Sequence, residues 1–144
     1  AIDGSALTNL PGGGKVLQVV QASVATSVTS TTNTFVDTGL TATITPTSTS
    51  SKILVFVEQS CKASSTAWLG FNLVRAGTSI RATTYIARSG SGDMTFGLPY
   101  NYLDSPNTTS ATIYKTQFKA TTAVDVRVQD NSASSTITLM EIGV

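Results

Sequence analysis

Eight carboxylates, Asp3, Asp37, Glu58, Asp93, Asp104, Asp125, Asp130 and Glu141, dominate the acid–base equipment of this 144-residue chain, because it contains no histidine and only one cysteine. The absence of histidine removes the commonest general base and the commonest transition-metal ligand together. Serine and cysteine nucleophiles therefore have no imidazole to activate them. A pair of carboxylates could still hydrolyse a glycosidic bond. Asp93 and Asp104 are the candidates, since they bracket Tyr100 and Tyr102 as a sugar site would. Asp104 before Ser105-Pro106 is equally a turn cap, and that plainer reading is preferred, so the chain is expected not to be an enzyme. The acidic residues show no DxDxDG calcium pattern, and neither a metal nor a cofactor is expected. An ion held on a threefold axis by one ligand per chain would escape such spacing rules. Cys61 cannot form an intrachain disulfide and is expected to be a small buried hydrophobe.

Only 12% of the residues are charged, and the net charge is +1. An ordinary soluble domain has about a quarter. Serine and threonine, roughly three residues in ten, take over the work of solubility. Such a surface lacks the positive field that attracts phosphate backbones or anionic membranes, so nucleic acid is not an expected partner. The apolar runs are too short to cross a bilayer, and membrane insertion is not expected either.

The elements that must position these residues are strands. Ile53-Leu54-Val55-Phe56-Val57 is the longest unbroken apolar run, and four of its five residues are β-branched or aromatic. It reads as a strand covered on both faces, by the core on one and by a second layer or another chain on the other. Strands are also expected from Lys15 to Gln21, with Ala22 to Thr29 continuing in the same style. Further runs are Thr34 to Asp37, Leu40 to Thr45, Ala67 to Val74, Ser79 to Ala87 and Met94 to Leu103. Ala111 to Ala120, Val124 to Gln129 and Thr136 to Ile142 complete the set. Pro99 restricts its strand to an edge or a break, Gly70 marks a bulge or close approach, and Arg75-Ala76-Gly77-Thr78 is a hairpin turn. Nine or ten strands with no helix, separated by Gly, Pro, Asn and Ser turns, make an all-β antiparallel sandwich of jelly-roll type.

Residues 1–14 differ from the rest. Ile2, Leu7 and Leu10 precede Pro11 and a glycine run, which is hinge chemistry. The segment reads as the end of a stalk whose apolar residues pack against copies of themselves, with residues 15–144 as the head domain. A disordered leader is the alternative. The glycine run is not a nucleotide loop, because no helix follows it.

Asp3-Gly4-Ser5 with Leu7-Thr8, then GKVLQVVQ, GLTATITPTSTSSKILVFV, YLDSPNTTSATIYK and the closing STITLMEI together resemble a domain at the C-terminal end of bacteriophage fibre and appendage proteins, marine phages especially. The likeness spans nearly the whole chain and rests on strand starts and turns, so it speaks to fold and setting more than to a ligand. It implies a β-sandwich head on a slender trimeric stalk, carried on the virion, joined to other virion proteins through the N-terminal segment and used to recognise a host cell-surface glycan or protein. A capsid-decorating or head-fibre structural protein, and a non-viral carbohydrate-binding module, are the competing settings.

Within that frame a homotrimer would cover the strands that look apolar on both faces, and Val16, Leu17, Val19, Ile53, Val55 and Val57 are the expected interface residues. A receptor, most simply a saccharide, would meet aromatic faces beside polar loops. Trp68, Tyr85, Tyr100 and Tyr102 are the aromatic candidates, with Arg88, Asp93, Asn101 and Asn107 as hydrogen-bond partners. Trp68 is equally a core residue, the tyrosines could simply cover an edge, and Arg75 and Arg81 could bridge to a neighbouring strand or subunit.

Overall fold

The computed structural model describes residues 14–88 and 90–143, and the expected stalk and hinge, apart from Gly14, lie outside them. Ten strands follow one another: β1 (Lys15–Val24), β2 (Val28–Ser30), β3 (Val36–Ile44), β4 (Lys52–Ala63), β5 (Trp68–Arg75), β6 (Thr78–Arg88), β7 (Met94–Asp104), β8 (Thr112–Ala120), β9 (Val126–Val128) and β10 (Ser135–Gly143). The one helical turn among the described residues is a 3-10 turn at Asp130–Ser132. All pairings are antiparallel.

The ten strands form eight rows. β4 pairs along one side with β10 through Lys52–Glu58 and with β9 through Cys61–Ala63, so β9 and β10 are one row interrupted at residues 129–134. The same interruption separates β1, which pairs β10, from β2, which pairs β9. Sheet A then runs β1/β2, β10/β9, β4, β7, and sheet B runs β3, β8, β5, β6. Numbered by row, the sheets read 1-8-3-6 and 2-7-4-5, which is the jelly-roll arrangement of two interlocked Greek keys. Each row alternates between the space separating the sheets and an outer face, because successive side chains on a strand point in opposite directions.

The core lies between the sheets. Ile53, Val55, Val57, Ile137 and Leu139 of sheet A meet Leu40, Ile44, Leu69, Phe71, Leu73, Tyr114 and Phe118 of sheet B, all buried. Cys61 is also in this core, and burial, with the charge of Glu58 adding to it, pushes its thiol up to about 12. A line of polar side chains crosses the interior as well. Thr38 and Thr116 hydroxyls stand 2.6 Å apart, Thr116 donates to Gln59 Oε1 at 3.1 Å, and Gln59 Nε2 donates to Ser135 Oγ at 2.9 Å. Ser60 N–H also donates to Ser135 Oγ, so that hydroxyl is free to donate to Gln129 Oε1 at 3.1 Å. Every polar atom in this line has a partner, as burial requires.

Turn chemistry behaves as the residues suggest. Ala76 and Gly77 both have positive φ, 46° and 86°, the paired left-handed geometry of a two-residue hairpin loop. Pro99 lies in β7, the edge strand of sheet A, where its missing N–H faces no partner. At Gly70 the pairing of β5 with β6 shifts, and a Cβ there would come within 3.0 Å of the Lys119 side chain.

Candidate functional site

Sandwich topology gives the molecule two outer faces and two ends, and the candidate residues must be located on these. One end carries the start of β1, the Arg75–Thr78 hairpin and the 105–111 loop. The opposite end carries residues 31–35, 64–67, 90–93 and 121–125. Asp93 immediately precedes β7 and Asp104 ends it, with the terminal pairs Met94–Ala63 and Asp104–Ile53 at opposite ends of β4. Eleven residues of extended chain separate them by about 35 Å, far more than the roughly 5–10 Å that a glycosidase pair needs. They do not form a catalytic dyad.

Both carboxylates, and four others among the described residues, instead have local partners. Asp104 is buried, accepts from Arg75 Nη1 at 2.8 Å and from the Tyr114 hydroxyl at 2.7 Å, and so is a link between the sheets rather than a turn cap. Asp93 and Asp130 share Lys62 at 3.0 and 3.3 Å, and Arg127 binds Asp125 at 2.9 Å. Glu141 is fully buried. Burial alone would raise its pKa, but Gln18, the neighbouring Ser51 hydroxyl and both the N–H and hydroxyl of Thr47 outweigh that and hold it at about 2.

The receptor candidates separate. Tyr100 is buried between the sheets, edge-on to Phe71 at 5.1 Å, with its hydroxyl 3.1 Å from that of Thr83. Arg81 lies over its ring, 4.3 Å from the centroid, and donates to the carbonyl of Asn101, which closes the seam between the edge strands β6 and β7. Tyr102 packs half-buried on the same core. The expectation that these tyrosines present a binding surface is therefore corrected: alternation along β7 turns residues 98, 100 and 102 inward and leaves Asn101 and Leu103 outside. Asn107 is in the loop at the β1 end, with φ of 53°. Trp68, Tyr85, Asp93 and the backbone of Arg88, which pairs with Trp68, are near the opposite end. Of these, Trp68 and Tyr85 touch, with ring centroids 5.6 Å apart and planes at 89°.

The interface candidates divide by parity. Ile53, Val55 and Val57 are 0%, 0% and 4% exposed within their own chain and cannot meet another. A run apolar at every position does not reveal which alternate set faces the core. The outward set is Leu54 and Phe56, which an unbroken apolar run does not distinguish from the inward one. Val16, Leu17 and Val19 are exposed, at 52%, 47% and 56%.

Cross-strand register joins these residues into one feature. Val19 of β1 pairs with Met140 of β10, Met140 with Leu54 of β4, and Leu54 with Leu103 of β7. One apolar row therefore spans sheet A from edge to edge, with Leu103 52% exposed, Phe56 44% exposed on one side of it and the Val16–Ile142 pair on the other. Gln21, Thr138 and Asn101 border it. A hollow of about 190 Å³ lies beside Phe56, lined by Glu58, Pro99, Asn101, Thr136 and Thr138 among others.

Sheet B presents the opposite chemistry. Asp37 of β3 accepts from Gln117 of β8 at 2.8 Å, Gln117 accepts from Asn72 of β5 at 3.1 Å, and Asn72 accepts from Ser79 of β6 at 2.6 Å. This polar ladder also crosses the whole sheet. Lys115 adds an ion pair to Asp37 at 2.7 Å, and this bond leads the causes that hold the Asp37 carboxyl below its ordinary value. A hollow of about 230 Å³ opens at the β3 bulge beside Asp37, Gly39 and Lys115.

No protein-family model matches this chain, and no curated protein matches it. Among solved structures it is similar to a chain in the structure of infectious bursal disease virus Gx strain, with 12% identity over 88% of this chain and a TM-score of 0.42. The match covers 40% of that viral chain. It is also similar to a chain of the cyanophage Pam1 capsid asymmetric unit, with 18% identity over 97% of this chain and 96% of that one, and a TM-score of 0.36. Likeness at this level carries no conclusion about assembly or ligand.

Proposed function

We propose that this chain is a non-enzymatic structural domain of a bacteriophage virion, the head of a fibre or appendage, which associates as a homotrimer through the outer face of sheet A and meets the host cell surface with the end remote from β1. The observation that carries the reading is the row Val19–Met140–Leu54–Leu103. Four strands at about 4.8 Å spacing make it about 14 Å wide, and with Phe56 and the Val16–Ile142 pair the apolar patch is on the order of 300 Å². That is the size of a functional patch on a monomer and less than the roughly 800 Å² per partner of a standard interface. It suits the apolar centre of a larger contact rimmed by Gln21, Thr138, Asn101 and Lys52. The sequence resemblance supplies the number of copies and the virion setting.

A second reading, a capsid-decorating protein, has its own support. Tyr100 and Tyr102, two of the expected receptor contacts, pack on the chain's own core. The same apolar face would then rest on a capsid lattice.

Light scattering at micromolar concentration tests the assembly. The expected mass is three times the 14.9 kDa of the chain. Leu103→Lys and Val19→Asp, at exposed positions, should give folded monomers. A wild-type monomer overturns the trimer, and a folded monomer that binds purified capsids selects the second reading.

A further inference from the structure

We infer that the outer face of sheet B, near the end remote from β1, is a saccharide-binding platform made by Phe35, Lys119, Trp68 and Tyr85. The inference rests on the attachment reading above and gives it a place and a chemistry.

Register brings these residues together from three strands and from the residue just before β3. Lys119 of β8 pairs with Gly70 of β5, and Val36 with Phe118, which sets Phe35 beside Lys119. The Lys119 ammonium lies 4.8 Å from the Phe35 ring centroid. Its aliphatic stem lies flat across Gly70, close enough that any Cβ there would meet Cγ at 3.0 Å and Cε at 3.1 Å. Beyond Gly70, β6 leaves its register, since Leu69 pairs with Ala87 but Phe71 pairs with Thr83. That bulge sets Tyr85 out of the sheet, 62% exposed and edge-on to Trp68.

Tyr85 has φ of 61°. A bulky aromatic in the left-handed region is strained, and glycine or asparagine would be the easier choice for a bulge alone. Strain at a ring that touches Trp68 yet stays mostly in solvent points to a role beyond filling the core. Here it exposes a ring instead of burying one.

The neighbouring row supplies the other half of a sugar site. Asp37, Gln117 and Asn72 stand two residues along their strands from Phe35, Lys119 and Gly70, about 7 Å away on the same face. Their hydrogen-bonded order fixes the carboxylate and the amides in place, and the exposed Asp37 carboxylate and the second N–H of Gln117 have capacity for hydroxyl groups. Apolar ring faces beside oriented amides and a carboxylate match the C–H face and the hydroxyl edge of a pyranose. A protein partner would find continuous apolar surface on sheet A, not here.

The chain's only tryptophan is part of the platform, which supplies an internal probe. The wild-type assembly is applied to an array of bacterial surface glycans and the hits are titrated in solution against Trp68 fluorescence. The expected result is retention of at least one glycan class with a shift in emission. Tyr85→Gly, which fits the backbone angle and removes the ring, and Lys119→Ala should each weaken binding at least tenfold with unfolding midpoints close to wild type. Retention of no glycan overturns the proposal, as does equal retention by both folded variants. Binding to host cells that survives periodate oxidation of their glycans but not protease treatment identifies a protein receptor and also overturns it. A trimeric mass measured alongside shows that the assembly reading stands when the platform falls.

Discussion

Arg75 and Asp104 tie the two sheets together at the β1 end of the sandwich: one guanidinium nitrogen donates to both carboxylate oxygens at 2.8 Å, and the Tyr114 hydroxyl donates to the same carboxylate. The bond to Asp104 raises the Arg75 pKa, and burial, followed by that carboxylate, raises the Tyr114 phenol. Asp104→Ala strands a guanidinium and a phenol at once. Because Arg75 is one-quarter exposed, the cost is expected below that of a fully buried pair, about 2–3 kcal/mol. Tyr114→Phe should cost about 1 kcal/mol, and the double variant less than the sum, because the two act on one carboxylate. Urea midpoints of the four proteins measure this.

Glu141 predicts an acid response. Its folded pKa of about 2 lies below the ordinary glutamate value, so the unfolded chain takes up the proton first as pH falls. The stability it contributes is full above about pH 4.5, declines between 4.5 and 2, and is absent below. Glu141→Gln sets an amide N–H against the donors of Thr47 or Gln18 and should cost about 1–3 kcal/mol at pH 7. The difference between wild type and variant should narrow steadily from pH 4.5 to pH 2. A difference that stays constant across that range would show that the charge is not the cause.

Tyr100 predicts loss of fold rather than loss of binding. Tyr100→Ala empties a ring site against Phe71 and should cost about 3–4 kcal/mol. Tyr100→Phe keeps the ring and gives up only the contacts to Thr83 and the Arg81 carbonyl, about 1 kcal/mol. Thermal denaturation separates the two. An alanine variant as stable as wild type would contradict the buried placement.

Cys61 predicts silence. A fully buried thiol with its pKa pushed up to about 12 presents almost no thiolate at neutral pH. Reaction with an aromatic disulfide reagent should be negligible in the native protein and complete in denaturant, with a native rate that follows unfolding. Fast native labelling would place the thiol outside the core.

What these predictions share is contact between residues far apart in the chain, and this is where reading the sequence reaches its limit. Alternation in Leu40–Thr45, Ala111–Ala120 and Val124–Gln129 is local, and it correctly announces strands. Pro99, Gly70 and the Ala76-Gly77 turn are local too, because they act through their own backbone, and each does what its chemistry demands. The Ile53–Val57 run is different. It is apolar on both faces, so its inward set is decided by the side on which sheet B packs.

The chain by itself determined that this is a sandwich of short antiparallel strands, because side-chain period and turn residues are properties of adjacent positions. It also determined that this stretch of chain supplies no imidazole, because a residue type that is missing cannot be recovered by folding. Only the tertiary structure decided that Val19, Met140, Leu54 and Leu103 form one apolar row, and that Lys119 lies over Phe35 and Tyr85 against Trp68. Each set draws on residues in or beside several strands, and neighbours in space are as much as 121 positions apart in the chain, as Val19 and Met140 are. No spacing rule spans that distance, since register between such strands is set by packing of the whole core.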